Sequence, residues 1–583
     1  MAASQEPSLA RRLKELMQED FDFQMTSNPE FATQAGFHEH DAFLQSLAPV
    51  AFDQRVEHNQ EMCRRLDEIL EACGSATADE RLSAVELLHV RLFRDALETE
   101  TRGIEVGGHL MPINSVGNGG VHEAFLELLD WMKFETEDDL QKYLERLMSF
   151  PAQVGEFLDL LAYGACMKGR PASESMMRGV EARLTELLDG EAVKALRAPL
   201  AGQDISEEMR EKFEQGFKNG FLVGLERMRD FFVEFYKGRV RAEPGCTSLR
   251  GGEELYRECL RFHTTTSKSA GELHAAGLEE VARIEGRFQR EVLDVVGFAG
   301  STAEYAAELK SDPTWFYTSE NELLDGYRSL VDVIKAELPR FFEKLPKIPL
   351  EVVAKRSGPA AYYYAGTADG SRPGYFYVNV SSLEERPRYE MAALALHEGI
   401  PGHHLQGALA LESEDLPDFL RYIEDRRYEY CPARRPLYTA YLEGWALYCE
   451  RLGEEMGLYK TPQDLFGRFS MEMMRAVRLV VDTGIHSMGW SVEKASTYME
   501  EKTGMASAEC CRECHRYAAW PGQACAYKVG QIAIEAARSR AEDALGDSFD
   551  VRRFHSLVLG SGPVPLDVLS ENVDAWIAAG GGA

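Results

Sequence analysis

His397-Glu398-Gly399-Ile400-Pro401-Gly402-His403-His404 is the stretch on which the reading of this chain turns. A metal-dependent hydrolase needs two imidazoles and usually a carboxylate around the ion, with one position left for water. It also needs a carboxylate beside that water to take its proton. The common helical solution is His-Glu-x-x-His, because residues four apart share one helix face. Here the residue four after His397 is Pro401, and the next histidines are His403 and His404. On an undistorted helix, residues six apart diverge by roughly 120°, and residues seven apart stand roughly 10 Å apart along the axis. Neither pair grips one ion at ligand distances of about 2 Å.

The same stretch supplies a distortion. Pro401 lacks an N–H, and its ring would clash with the carbonyl four residues back, that of His397. Gly399 and Gly402 permit unusual backbone angles on either side. A two-residue bulge would carry His403 to the place of the second ligand and leave His404 as an outer or substrate contact. His404 remains the alternative ligand. Glu398 stands where a general base is needed.

A third ligand comes from Leu437-Tyr438-Thr439-Ala440-Tyr441-Leu442-Glu443-Gly444-Trp445-Ala446-Leu447-Tyr448-Cys449, an apolar helical pattern in which Glu443 is the one strong acid. A buried carboxylate is costly unless it is paired or binds a metal. The alternative is a core glutamate paired with an arginine. Glu450, seven residues on, lies near the same face and can orient a histidine ligand.

Thr461-Pro462 reads as a cap and first-turn proline opening another helix. It carries Arg475, Arg478, Asp482 and His486 in one stripe among apolar residues. That pattern is either an exposed ion-pair ladder or an inward face where Arg478 meets a substrate carboxylate. Farther on, Trp520-Pro521-Gly522 precedes Tyr527-Lys528. A phenol near the metal can donate to an oxyanion, whereas the plainer reading of Tyr527 is helix packing.

Together these segments resemble a known family. His-Glu-Gly-Ile-Pro-Gly-His-His-Leu-Gln (397–406), Leu-Glu-Gly-Trp-Ala-Leu-Tyr (442–448) and Arg-Leu-Val-Val-Asp-Thr-Gly-Ile-His (478–486) are similar to the family called domain of unknown function 885. So are Pro-Gly-Gln-Ala-Cys-Ala-Tyr-Lys-Val-Gly (521–530) and Asp-Gly-Ser-Arg-Pro-Gly-Tyr-Phe-Tyr-Val-Asn (369–379). Outlying matches at Pro29–Gly36 and Phe554–Leu566 extend the likeness over nearly the whole chain. The resemblance implies a zinc metallopeptidase with one integrated, mainly helical fold, a deep cleft and a zincin-like catalytic core. Carried over residue by residue, it implies one Zn2+ held by His397, His403 and Glu443, with Glu398 as base. Tyr527 or His486 is then expected at the oxyanion, and Arg478, Lys528, His404 and Asn379 on the substrate side.

Outward from these motifs, residues 1–240 read as a helical half and 241–583 as the catalytic half, with a break at Arg241–Gly252. Apolar residues recur at helical spacing from Ser46 to Leu97 and from Asp138 to Tyr163, on either side of the glycine-rich Gly103–Gly120. Two β-rich runs, Leu350–Lys355 and Tyr375–Val380, predict a small sheet beside the active-site helix. The second strand is expected to pair with an extended peptide. The fold class is therefore mainly α with one small sheet.

A net charge of −32 argues against nucleic acid and anionic membrane as partners. The metallopeptidase resemblance implies a short peptide or another small amide as the partner. No apolar run follows the early arginines, and no stretch approaches the roughly 20 apolar residues of a span. Eleven cysteines without an export signal are expected as free thiols in a cytoplasmic protein.

Overall fold

The computed structural model describes residues 7–77, 80–114, 119–356, 358–424 and 427–582. It divides into two compact units, Met1–Glu258 with Pro417–Pro436, and Cys259–Leu416 with Leu437–Ala583.

The first unit is built of helices. In the helix Leu9–Ser27 the buried Leu13, Leu16, Met17 and Phe21 recur at three- and four-residue steps. Leu13, Leu16 and Met17 join Met62, Leu66, Phe93 and Leu97 in one core. The stretch from Ser46 to Leu97 is two helices, Pro49–Ser75 and Ala84–Glu105, the second opened by a capping box of Ser83 and Glu86. A second capping box, Thr136 with Asp139, opens the long helix Glu137–Met167. Pro417–Pro436 joins this unit, where Arg435 pairs with Asp20 at 2.7 Å and Glu100 at 3.0 Å.

The second unit carries the sheet and the motif helices. Its strands are β1 (Leu350–Lys355), β2 (Ala361–Tyr364) and β3 (Gly374–Asn379), in the order β1-β3-β2. β1 runs parallel to β3 and β2 antiparallel to it. Phe376 and Val378 of β3 alternate toward the core and are fully buried. The expectation that β3 pairs with a substrate is overturned here, because β3 is the central strand and has a neighbour on each side. The edge strands are β1 and β2, and sequence reading missed β2.

The buried axis of this unit is the helix Pro462–Ser487, opened by the expected Thr461 cap and Pro462. Phe466, Phe469, Met473, Ala476, Val477, Val481 and Ile485 face a core shared with Val281, Ile284 and Phe288. Cys510 and Cys514 are buried in the same core, where they pack as small apolar side chains. No helix among the described residues is long and apolar enough to cross a membrane.

Candidate metal centre

The chain enters the centre through Met391–Leu394 and a wide turn of π-helix, Ala395–Gly399, that carries His397. It then leaves helical geometry at Ile400, and a new helix, His403–Glu412, begins with His403 itself. The expected bulge within one helix is thus a stop and a restart. Gly402 makes this possible, since a Cβ there would lie 1.9 Å from the His397 carbonyl oxygen. Only glycine lets the chain fold back over His397 so closely.

The third side chain comes from the helix Thr439–Glu455. Glu443 Oε2 lies 3.3 Å from His397 Nε2 and 3.3 Å from His403 Nε2. One ligand atom from each of His397, His403 and Glu443 falls within 4.8 Å of the others. The imidazoles stand nearly perpendicular, at 89° with centroids 4.9 Å apart. Atoms at about 2.05 Å around a tetrahedral ion are about 3.3 Å apart, so this spacing fits zinc. Although Glu443 Oε2 is close to both rings, it is buried without a well-formed hydrogen bond. That is how a carboxylate oxygen aimed at an ion would be left.

The surroundings favour a cation. Glu450 lies 2.8 Å from His397 Nδ1. It thereby fixes the ring with Nε2 turned toward Glu443. Burial disfavours charge on His397, but Glu443 and Glu450 outweigh it and draw its pKa up to about 9. Burial likewise opposes ionisation of Glu443, and the two histidines overcome it, holding the carboxyl well below the usual range. Glu398 differs: burial is its largest influence and pushes its pKa up, which suits a base. Its Oε2 accepts from the backbone N–H of Tyr363 at 2.9 Å, so the edge strand β2 holds the candidate base.

Two contacts lock the pieces together. Trp445 donates its indole N–H to the Pro401 carbonyl at 2.8 Å, tying the Glu443 helix to the break between the histidines. Gly444 and Gly530 let Thr439–Glu455 meet the helix Gln523–Leu545 backbone to backbone. Tyr527 lies one turn before Gly530 and so comes beside Glu443, whose charge, after burial, helps push its phenol up to about 12.

A family model described as "Bacterial protein of unknown function (DUF885)" matches residues 29–573. The chain belongs to the DUF885 family. No curated protein matches it. Among solved structures it is similar to the putative lipoprotein from Colwellia psychrerythraea, at 26% identity and TM-score 0.86, covering 98% of this chain and 100% of that one. A putative lipoprotein of unknown function from Shewanella oneidensis shares the fold at 18% identity and TM-score 0.71, over 96% of this chain and 99% of that one. These relatives overturn the cytoplasmic expectation. It rested on reading neither a leader nor a span in the sequence, whereas both of these solved structures are of proteins named putative lipoproteins.

The remaining expected site residues of this DUF885 chain are each engaged with protein partners. His404 turns away from His403: its Nε2 donates to the Ile348 carbonyl at 3.1 Å and its Nδ1 lies 3.3 Å from the Tyr363 hydroxyl. Burial lowers its pKa to about 4, so it is neutral. Arg478 is buried and engaged, with Nε on the Tyr517 hydroxyl at 3.0 Å and Nη2 on Glu513 at 3.1 Å. It also lies 4.7 Å from the Tyr527 ring centre. The three donors of Lys528 meet Glu472, Glu280 and Gln531 at 2.6, 2.7 and 2.8 Å. His486 donates from Nε2 to the Tyr517 carbonyl at 2.9 Å. Asn379 donates to the Gly358 carbonyl at 2.8 Å and accepts from Ser381 N at 3.0 Å. Sequence reading missed Tyr363, Trp445 and Gln523. Only the aromatic run Ala361-Tyr362-Tyr363-Tyr364 carried a usable signal, that of a short strand.

Proposed function

We propose that this DUF885 chain is a zinc-dependent hydrolase and that its substrates are short peptides. The observation that carries the reading is the convergence of His397, His403 and Glu443 beside Glu398, which is half-buried, raised in pKa and held by β2. Zinc in such a site supplies Lewis acidity toward a water and a scissile carbonyl. Glu398 takes the proton of that water and passes it to the leaving amine. Tyr527, kept protonated by burial, donates to the developing oxyanion. His397 and His403 are held for their role by Glu450 and by the restart at Gly402.

The sheet supports a peptide over other amides. In an antiparallel pair, alternate residues turn their backbone groups toward the partner strand and away from it. Asn379 N donates to Ala360 O at 2.9 Å, and Ala361 stands opposite Val378. Ala361 and Tyr363 therefore turn their N–H and C=O groups to the open side of β2, where the Tyr363 N–H already meets Glu398. An extended peptide pairing with that edge brings its carbonyls past the base.

Glu398→Gln separates chemistry from binding. The variant should keep its zinc and lose peptide hydrolysis by several orders of magnitude, because an amide cannot accept the proton. Mass spectrometry of a synthetic hexapeptide mixture, run beside elemental analysis, reads both. A zinc-loaded Glu398→Gln variant that cleaves as fast as wild type would rule the mechanism out.

A further inference from the structure

The hydroxyl of Tyr527 sits at the end of a chain of hydrogen bonds whose direction is fixed by its first member. Arg516 is clamped by Glu513, to which Nε and Nη2 donate at 3.1 and 2.8 Å. Its remaining Nη1 donates to Gln523 Oε1 at 3.1 Å. A guanidinium has donors only, so the oxygen of the Gln523 amide must face it. The amide NH2 then faces Tyr527, one helical turn on, and Nε2 lies 3.1 Å from the hydroxyl. An NH2 group also only donates, so the phenol oxygen accepts and its own hydrogen stays uncommitted. Among the described residues the hydroxyl makes no other hydrogen bond.

We propose that Arg516 and Gln523 are positioning residues that force the Tyr527 hydroxyl to act as a donor toward the substrate. This deepens the hydrolase reading and rests on it. Glu513 anchors the relay from the far end, because it also accepts from Tyr517 at 2.7 Å and from Arg478 at 3.1 Å. Arg478 lies over the Tyr527 ring, so the ring cannot swing toward that side. Gln523 is 2% exposed, so its amide is buried between Arg516 and Tyr527. Were the phenol to donate backward into the protein, its hydrogen would be lost to an oxyanion. The order Arg516 to Gln523 to Tyr527 prevents that.

Gln523→Glu reverses the last bond while keeping the side-chain shape. A carboxylate only accepts, so Tyr527 must then donate to residue 523. Zinc-loaded Gln523→Glu, assayed on the fastest-cleaved member of a synthetic hexapeptide mixture, should lose about ten- to a hundredfold in kcat with KM within about twofold. In a Tyr527→Phe background the same change should cost nothing further. A second readout needs no activity: 3-fluorotyrosine placed at position 527 of the metal-free protein should shift its 19F resonance by more than a linewidth on Gln523→Glu. An unmoved resonance overturns the relay, as does an equal kinetic loss with and without the Tyr527 hydroxyl. An inactive zinc-loaded wild type overturns the hydrolase reading itself, and with it the catalytic half of this inference. An active wild type matched by Gln523→Glu overturns the relay alone.

Discussion

Trp445 reaches from the helix that carries Glu443 to the carbonyl of Pro401, and that 2.8 Å bond joins the carboxylate ligand to the break between the two histidines. Pro401 lies between His397 and His403 in sequence, so the contact ties the Glu443 helix to the segment that carries both histidines. Replacing Trp445 with phenylalanine keeps most of the packing and leaves a buried carbonyl without a donor. The cost should be roughly 1–3 kcal/mol in urea unfolding. Zinc affinity, measured by competition with a chelator, should weaken by about tenfold or more, as changes behind a ligand shell do. Unchanged affinity would mean that the break is held by other contacts.

Gly530→Ala should be among the most damaging single-methyl additions in the chain. A Cβ at Gly530 would lie 1.7 Å from the Ala440 carbonyl oxygen, and backbone cannot step aside as a side chain can. The helices bearing Glu443 and Tyr527 must separate, at about 3 kcal/mol or more. Gly155→Ala is the control, since nothing lies within 4 Å of its Cβ and the residue sits inside a helix. It should stabilise slightly, by up to about 1 kcal/mol. Similar thermal shifts in the two variants would contradict the close crossing.

His555 makes stability sensitive to acid. It is fully buried and stays neutral, donating from Nδ1 to the Phe341 carbonyl at 2.9 Å and lying 2.7 Å from the Tyr448 hydroxyl. Burial lowers its pKa from 6.5 to about 3. Its folded pKa is below its unfolded one, so the unfolded chain binds the extra proton between those values. Its contribution is fully present above pH 6.5 and is lost as pH falls toward 3. The stability advantage of wild type over His555→Gln should therefore shrink by about 1.4 kcal/mol per pH unit below 6.5. An advantage that holds constant down to pH 4.5 would contradict a buried neutral imidazole.

How much of this was legible in the sequence depended on what each residue's role required. His397 and Glu398 could be singled out by their likeness to a His-Glu-x-x-His motif, and Glu443 because it is the one strong acid in an apolar segment, where a bland role is costly. The choice between His403 and His404 was open, because it turns on where the helix restarts, and only the packing of Gly402 on His397 fixes that. β2 was hidden because three consecutive tyrosines carry no alternation. Its edge position moved the expected peptide pairing from β3 to β2. Arg478 and Lys528 could be read as facing inward, but their partners are Glu513, Glu280 and Glu472. No local pattern links them.

Whether His397, His403 and Glu443 hold one zinc is read by zinc per chain, by elemental mass spectrometry after chelation, reloading and dialysis. Wild type should carry about one zinc per chain. His403→Ala should lose nearly all of it, and His404→Ala should retain it, because His404 is turned to Ile348 and Tyr363. No zinc in the reloaded wild type, or loss in His404→Ala with retention in His403→Ala, would rule this ligand set out.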